Sequence, residues 1–130
     1  MHIAHEISHL WWKNANLTIC DNWLNESFAQ YSALLLIKEK YGEENYEKII
    51  DQFYENSQKL PSLSSLDKKT SRDIWFPVCY YKGPYLLAKL EKEIGYERMM
   101  KILFVCYQRK IKESEEFLQI CPEFRKYYRQ

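Results

Sequence analysis

An all-α fold of about six helices is what this chain of 130 residues predicts, and three observations carry that reading. Its apolar residues recur at three- and four-residue intervals, the spacing that builds one face of a helix. Only three glycines and four prolines punctuate the sequence, so long stretches run without a helix breaker. No segment shows the strict alternation of a half-buried strand. With 46% hydrophobic and 16% aromatic residues one packed core is feasible, and residues 1–130 read as a single helical unit.

The first helix is predicted from near Met1 to about Lys13, with Leu10 and the Trp11-Trp12 pair available for packing. Asn14 to Cys20 is a polar turn or loop, after which Asp21 or Asn22 can accept bonds from the free N–H groups that open the second helix. That helix runs to about Tyr41 and ends at Gly42. The third, about Glu43 to Gln58, places Tyr46, Ile49, Ile50, Phe53 and Tyr54 on one stripe, an amphipathic spacing. From Leu60 to about Arg72, Pro61, four serines and Asp67-Lys68-Lys69 lack periodicity and predict a surface loop. A fourth helix begins around Cys79 to Lys82, takes Pro84 in its first turns and continues through Leu86, Leu87 and Leu90 to Gly95. The fifth spans roughly Tyr96 to Lys110. A short one follows Ser114, which can serve as its N-cap, and Pro122 interrupts before a basic, Tyr-rich tail.

Charge narrows the function classes. Nineteen Lys plus Arg against eighteen Asp plus Glu leave a formal charge of +1, with the signs interspersed, so no nucleic-acid or membrane-surface footprint is expected. The longest apolar run, Ala33 to Ile37, is far short of a bilayer span. No basic region leads into an apolar segment at the start, so no signal peptide is visible, and the compartment stays open. Cys20, Cys79, Cys106 and Cys121 show no C-x-x-C spacing. Free thiols and two bridges both remain open; the reading taken is buried thiols used in packing.

The chemistry is concentrated in His5-Glu6-Ile7-Ser8-His9, followed after sixteen residues by Glu26. Residues four apart share one helix face, so His5 and His9 can both aim an imidazole nitrogen at one ion. Glu6 lies about 100° further round the helix, poorly placed as a ligand beside them but well placed to take a proton from a nearby water. A catalytic zinc needs three protein ligands and an open fourth position, and Glu26 supplies the third if its helix packs against the first. Other residues have blander readings. The tryptophan pair and the Tyr-rich helices read as packing, His2 as a frayed terminal histidine, and Lys82 either as polar support near the site or as a solvated lysine.

Three segments together, His5-Glu6-Ile7-Ser8-His9-Leu10-Trp11-Trp12, Asp21-Asn22-Trp23-Leu24-Asn25-Glu26-Ser27-Phe28-Ala29 and Tyr80-Tyr81-Lys82-Gly83, resemble the gluzincin aminopeptidases related to alanyl aminopeptidase and leukotriene hydrolase. The resemblance implies the helical half of a thermolysin-like metallopeptidase catalytic domain. It implies one Zn2+ held by His5, His9 and Glu26, a peptide substrate, Glu6 as the residue that activates water, and Tyr80 as the stabiliser of the oxyanion. The spacing from His9 to Glu26 is shorter than the family's commonest one, and the difference falls in the loop before Asp21.

The family's upstream β-rich half, with the Gly-x-Met-Glu-Asn motif that holds the substrate amine, has no counterpart in the chain. The expectation is therefore a domain truncated at its N-terminus, whose partner is that β-rich half or a second copy meeting it through an exposed apolar face. The residues leave aminopeptidase and endopeptidase action open; the resemblance favours aminopeptidase. The alternative from another class is a noncatalytic helical fragment that keeps the fold, with or without zinc, and acts by binding if at all.

Overall fold

Burial all the way round one helix organises this protein. The computed structural model describes residues 1–130 and contains helices without strands: α1 (His2–Ser8), α2 (Trp23–Tyr41), α3 (Glu43–Asn56), α4 (Arg72–Pro77), α5 (Gly83–Ile94), α6 (Tyr96–Arg109), α7 (Ser114–Ile120) and α8 (Arg125–Tyr128). A helix apolar on one stripe lies on a surface, whereas one buried on every side must be central. Helix α2 is the second kind, burying Trp23, Leu24, Ser27, Phe28, Ala29, Gln30, Tyr31, Ala33 and Leu34, with α1, α3 and α5 packed around it. Trp23, Phe28, Phe117 and Phe124 meet in its aromatic centre, the Trp23 and Phe124 rings stacked with centroids 5.9 Å apart. Each such fully buried side chain contributes on the order of 1.5–3 kcal/mol.

The all-α expectation holds, and Gly42 and Gly95 end α2 and α5 where expected, both at φ near +90°, a region open to glycine. Four boundaries differ. Helix α1 stops at Ser8 rather than near Lys13, because the chain turns at once to bury Trp12 against Phe28 and seat its indole N–H on Ser32 Oγ at 2.9 Å. The Leu60–Arg72 segment is anchored rather than wholly superficial, through a 3-10 turn at Leu63–Ser65 that buries Leu63 beside Leu66. A helix missing from the sequence reading, α4, begins at Arg72 and runs through Pro77 into a π-helical turn over Val78–Lys82 before α5. Finally, Asp21 does not cap α2: its Oδ1 accepts from the Ser114 N–H at 2.9 Å, and Ser114 is the first residue of α7 rather than its cap. The Ser114 hydroxyl meanwhile accepts from the Trp23 indole N–H at 2.9 Å.

The four cysteines are free, and Cys79, Cys106 and Cys121 are buried as expected, while Cys20 is exposed. Burial pushes the Cys106 thiol up to about 12 and that of Cys121 up to about 11, so both stay protonated and inert at neutral pH. Lys82 is neither solvated nor at the site. Only 7% exposed, it donates to the carbonyls of Leu60, Pro61 and Gln130 at 2.8–3.1 Å and ties the Leu60 loop to the C-terminal residues.

The π turn has a specific cause and a specific consequence. The Gly83 N–H reaches back five residues to the Val78 carbonyl, and Pro84 has no N–H to give. The Cys79 carbonyl therefore has no main-chain donor in either an α or a π pattern, and Ser27 Oγ of α2 donates to it at 2.7 Å. For Ser27 to reach so far, the two helices must nearly touch: a Cβ at Gly83 would lie 1.9 Å from Ser27 Oγ and 2.7 Å from its Cβ. Gly83→Ala should destabilise the chain by about 1–3 kcal/mol in urea unfolding, the usual cost of overpacking. Ser27→Gly in the same background should recover part of that loss, although neither change helps alone.

Candidate metal and proton-transfer site

Helix α1 is held against α2 by three polar side chains whose tips converge. His5 is buried, and its Nε2 lies 3.1 Å from Glu26 Oε2 and 3.0 Å from His9 Nε2. His9 Nε2 is 3.5 Å from the same carboxylate oxygen. A tetrahedral zinc with ligand bonds of 2.0–2.1 Å would hold its donors roughly 3.3–3.4 Å apart, so this triangle is the size that one such ion requires. Glu6 Oε1 is 4.0 Å from His5 Nε2, and its side chain is 58% exposed. A cluster of His5, Glu6 and His9 donor atoms lies within 4.8 Å, but the shorter distances belong to Glu26, which makes Glu26 the better third ligand.

The outer contacts decide which nitrogen faces the centre. His5 Nδ1 lies 2.9 Å from Gln30 Oε1 and His9 Nδ1 lies 2.9 Å from the Trp12 carbonyl. Both partners only accept, so both Nδ1 atoms carry the proton, and in the neutral rings both Nε2 lone pairs point inward. Two lone pairs and a carboxylate oxygen facing one another at these distances repel. A cation between them would relieve that repulsion, and the donor set of two imidazoles and one carboxylate is one that would suit zinc. The turn that ends α1 early is thus part of the site, since it brings the Trp12 carbonyl under His9.

Charge at the centre is strongly biased. Burial would raise the Glu26 carboxyl, but its pairing with His5 and His9, in whichever of them a second proton sits on Nε2, and the Tyr80 hydroxyl outweigh it and hold the group well below the ordinary carboxylate range. His9 is raised, chiefly by its bond to Glu26, against an opposing effect of burial. The Tyr80 hydroxyl is held well above its usual value by burial and by the neighbouring Glu26, so it remains a protonated donor at neutral pH.

Tyr80 stands on the π turn, its ring stacked on His5 at 5.0 Å on one side and on Phe76 at 4.0 Å on the other. All five residues singled out in the sequence, His5, Glu6, His9, Glu26 and Tyr80, therefore meet in one place. Two neighbours were not singled out. Phe76 sits four residues before Tyr80 and Gln30 four residues after Glu26, spacings that share a helix face. That spacing alone could have marked Gln30, whereas Phe76 required α4 to be recognised.

The peptidase family M1 domain matches residues 1–123. Endoplasmic reticulum aminopeptidase 2 from Homo sapiens is 28% identical over 110 residues, which cover 76% of this chain and 11% of that protein. The chain thus spans about a tenth of the length of that relative. No solved structure matches the chain significantly.

The shifted Glu26 and His9 give the metal-free chain a pH signature. Glu26, depressed below 4.5, stabilises the fold above that value and loses its contribution as pH falls. His9, raised above 6.5, stabilises below that value and loses its contribution as pH rises through its folded pKa. Urea midpoints measured across pH in chelator should therefore peak between these two ordinary values and decline on both sides. Glu26→Gln should flatten the acid limb; an unchanged acid limb would mean that Glu26 is not bonded as described.

Proposed function

The chain belongs to peptidase family M1, and on that premise we propose that it is a zinc-dependent metallopeptidase that hydrolyses peptide bonds in the manner of an aminopeptidase. The observation that supports this reading most directly is the triangle of His5 Nε2, His9 Nε2 and Glu26 Oε2, with edges of 3.0, 3.1 and 3.5 Å. These three residues would hold the ion. Zinc bound there lowers the pKa of water toward neutrality and polarises a carbonyl.

The remaining steps belong to the chain's own side chains. Glu6, on the solvent-facing side of the two histidines, takes a proton from the attacking water as its oxygen bonds to the scissile carbon. The same carboxyl then returns that proton to the amine nitrogen as the C–N bond breaks. The Tyr80 hydroxyl, protonated and packed between His5 and Phe76, donates to the carbonyl oxygen while it carries negative charge. Phe76 and His5 fix the Tyr80 ring from both faces, which limits the motion that would blunt such a donor.

Zinc titration of the metal-stripped chain by calorimetry tests the site. One tight site is expected, lost in both His9→Ala and Glu26→Gln. No site, or one indifferent to Glu26, would sink the peptidase reading and leave a helical module that acts by binding. With zinc in place, Glu6→Gln should lower kcat by on the order of 10²–10⁴ and Tyr80→Phe by on the order of 10²–10³, each with zinc content unchanged. Turnover on a free-amine peptide but not on its N-acetylated form would mark an aminopeptidase.

The partner proposed for the chain is a second copy or a β-rich half of the domain, met through an apolar face. Trp11, Leu36, Phe104 and Tyr107 are exposed around a groove of about 320 Å3 floored by Trp12, Leu35 and Leu103. Light scattering of the isolated chain should show mass rising with concentration. A clean monomer at high concentration would remove this face from the proposal.

A further inference from the structure

Gln30 makes a hydrogen bond to each half of the site. It lies on α2, one turn beyond Glu26, and is 8% exposed. Its carboxamide is used at both ends: Oε1 faces His5 Nδ1 at 2.9 Å, and Nε2 donates to the Tyr80 main-chain carbonyl at 3.1 Å. The direction of these bonds is forced rather than free. Pro84 stands four residues after Tyr80 and cannot supply the N–H that an α-helix would give to the Tyr80 carbonyl. That carbonyl can only accept, so it takes the NH2 end of the amide, and the oxygen end is left for His5.

A carboxamide oxygen can only accept. His5 must then carry its proton on Nδ1, which leaves Nε2 bare toward His9 and Glu26. We propose that Gln30 is a positioning residue that couples the two halves: it selects the metal-binding tautomer of His5 and, through the same amide, pins the main chain that carries Tyr80. This inference rests on the zinc reading given above and adds to it a residue outside the ligand set.

Gln30→Glu and Gln30→Met separate the two roles. The first keeps an acceptor for His5 but cannot donate to the Tyr80 carbonyl; the second keeps the length of the side chain and makes neither bond. Zinc affinity is measured by calorimetry against a competing chelator. The Tyr80 environment is read by NMR of ring-13C-labelled tyrosine, with the resonance assigned through Tyr80→Phe. Gln30→Met should lose roughly 10–100-fold in zinc affinity, the usual cost of removing the partner that orients a histidine ligand. Gln30→Glu should bind zinc at least as well as the parent while its Tyr80 resonance shifts and broadens.

Zinc affinity within twofold of the parent in Gln30→Met would overturn the inference, as would an equal loss in both variants or a Tyr80 resonance unmoved in Gln30→Glu. A parent chain that binds no zinc would overturn the peptidase reading itself and this inference with it. That failure is distinct, because it is seen before any variant is made. Should Gln30→Met fail to fold, the Gln30→Glu arm still decides, since retained zinc binding with a displaced Tyr80 is an outcome that simple loss of packing does not produce.

Discussion

The close approach of α2 to the turn before Pro84 is the constraint on which the rest of the structure depends. Pro84 deprives the Tyr80 carbonyl of its α-helical donor and leaves the Cys79 carbonyl without any helical one, and α2 supplies Gln30 and Ser27 to them. A buried carbonyl left without a donor costs about 1–3 kcal/mol, so the two helices cannot part without exposing that cost. The missing side chain at Gly83 is what lets them meet. Once they meet, the face of α2 that carries Glu26 is fixed relative to Tyr80, and His5 is drawn onto the same surface through Gln30.

Much of the electrostatic character of the centre follows from that placement. Glu26 faces the Nε2 atoms of His5 and His9, two imidazoles whose outer nitrogens are committed elsewhere, and the Tyr80 hydroxyl. A carboxylate so placed is a fixed negative charge in a partly dry setting, where charge interactions are stronger than in water. The rings of Phe76, Tyr80 and His5 form one continuous stack beside the centre. Glu6, 4.0 Å from His5 Nε2, is the exposed member of the group.

What the sequence could reveal divides along the range of the interactions involved. Helix type, the amphipathic stripe of α3 and the glycine ends of α2 and α5 are local, and they are legible in a single strand of letters. The i, i+4 pair of His5 and His9 is local too. The early end of α1 is not, because the burial of Trp12 and its bond to Ser32 are tertiary. Helix α4 spans only Arg72–Pro77 and runs straight into the π turn, too short a stretch to show a period of its own. Asp21 looks like a cap for the helix beside it and serves another 93 residues away. Gln30 shares a helix face with Glu26 through its four-residue spacing, but its partners on α1 and on the π turn are tertiary.

That distant capping bond has an implication for the order of events during folding. Ser114 meets Cys20, Asp21 and Trp23 at the start of α2, so the loop closed between them spans most of the chain. Closing so long a loop is slow and entropically unfavourable until other contacts have shortened it. Helices α2 to α6 can assemble first through contacts of smaller sequence separation than this one, and the turn leading into α2 is secured afterwards by α7. Any ion-binding competence of α1, which is joined to α2 through that turn, is then a property acquired near the end of folding rather than a nucleus around which the chain collapses.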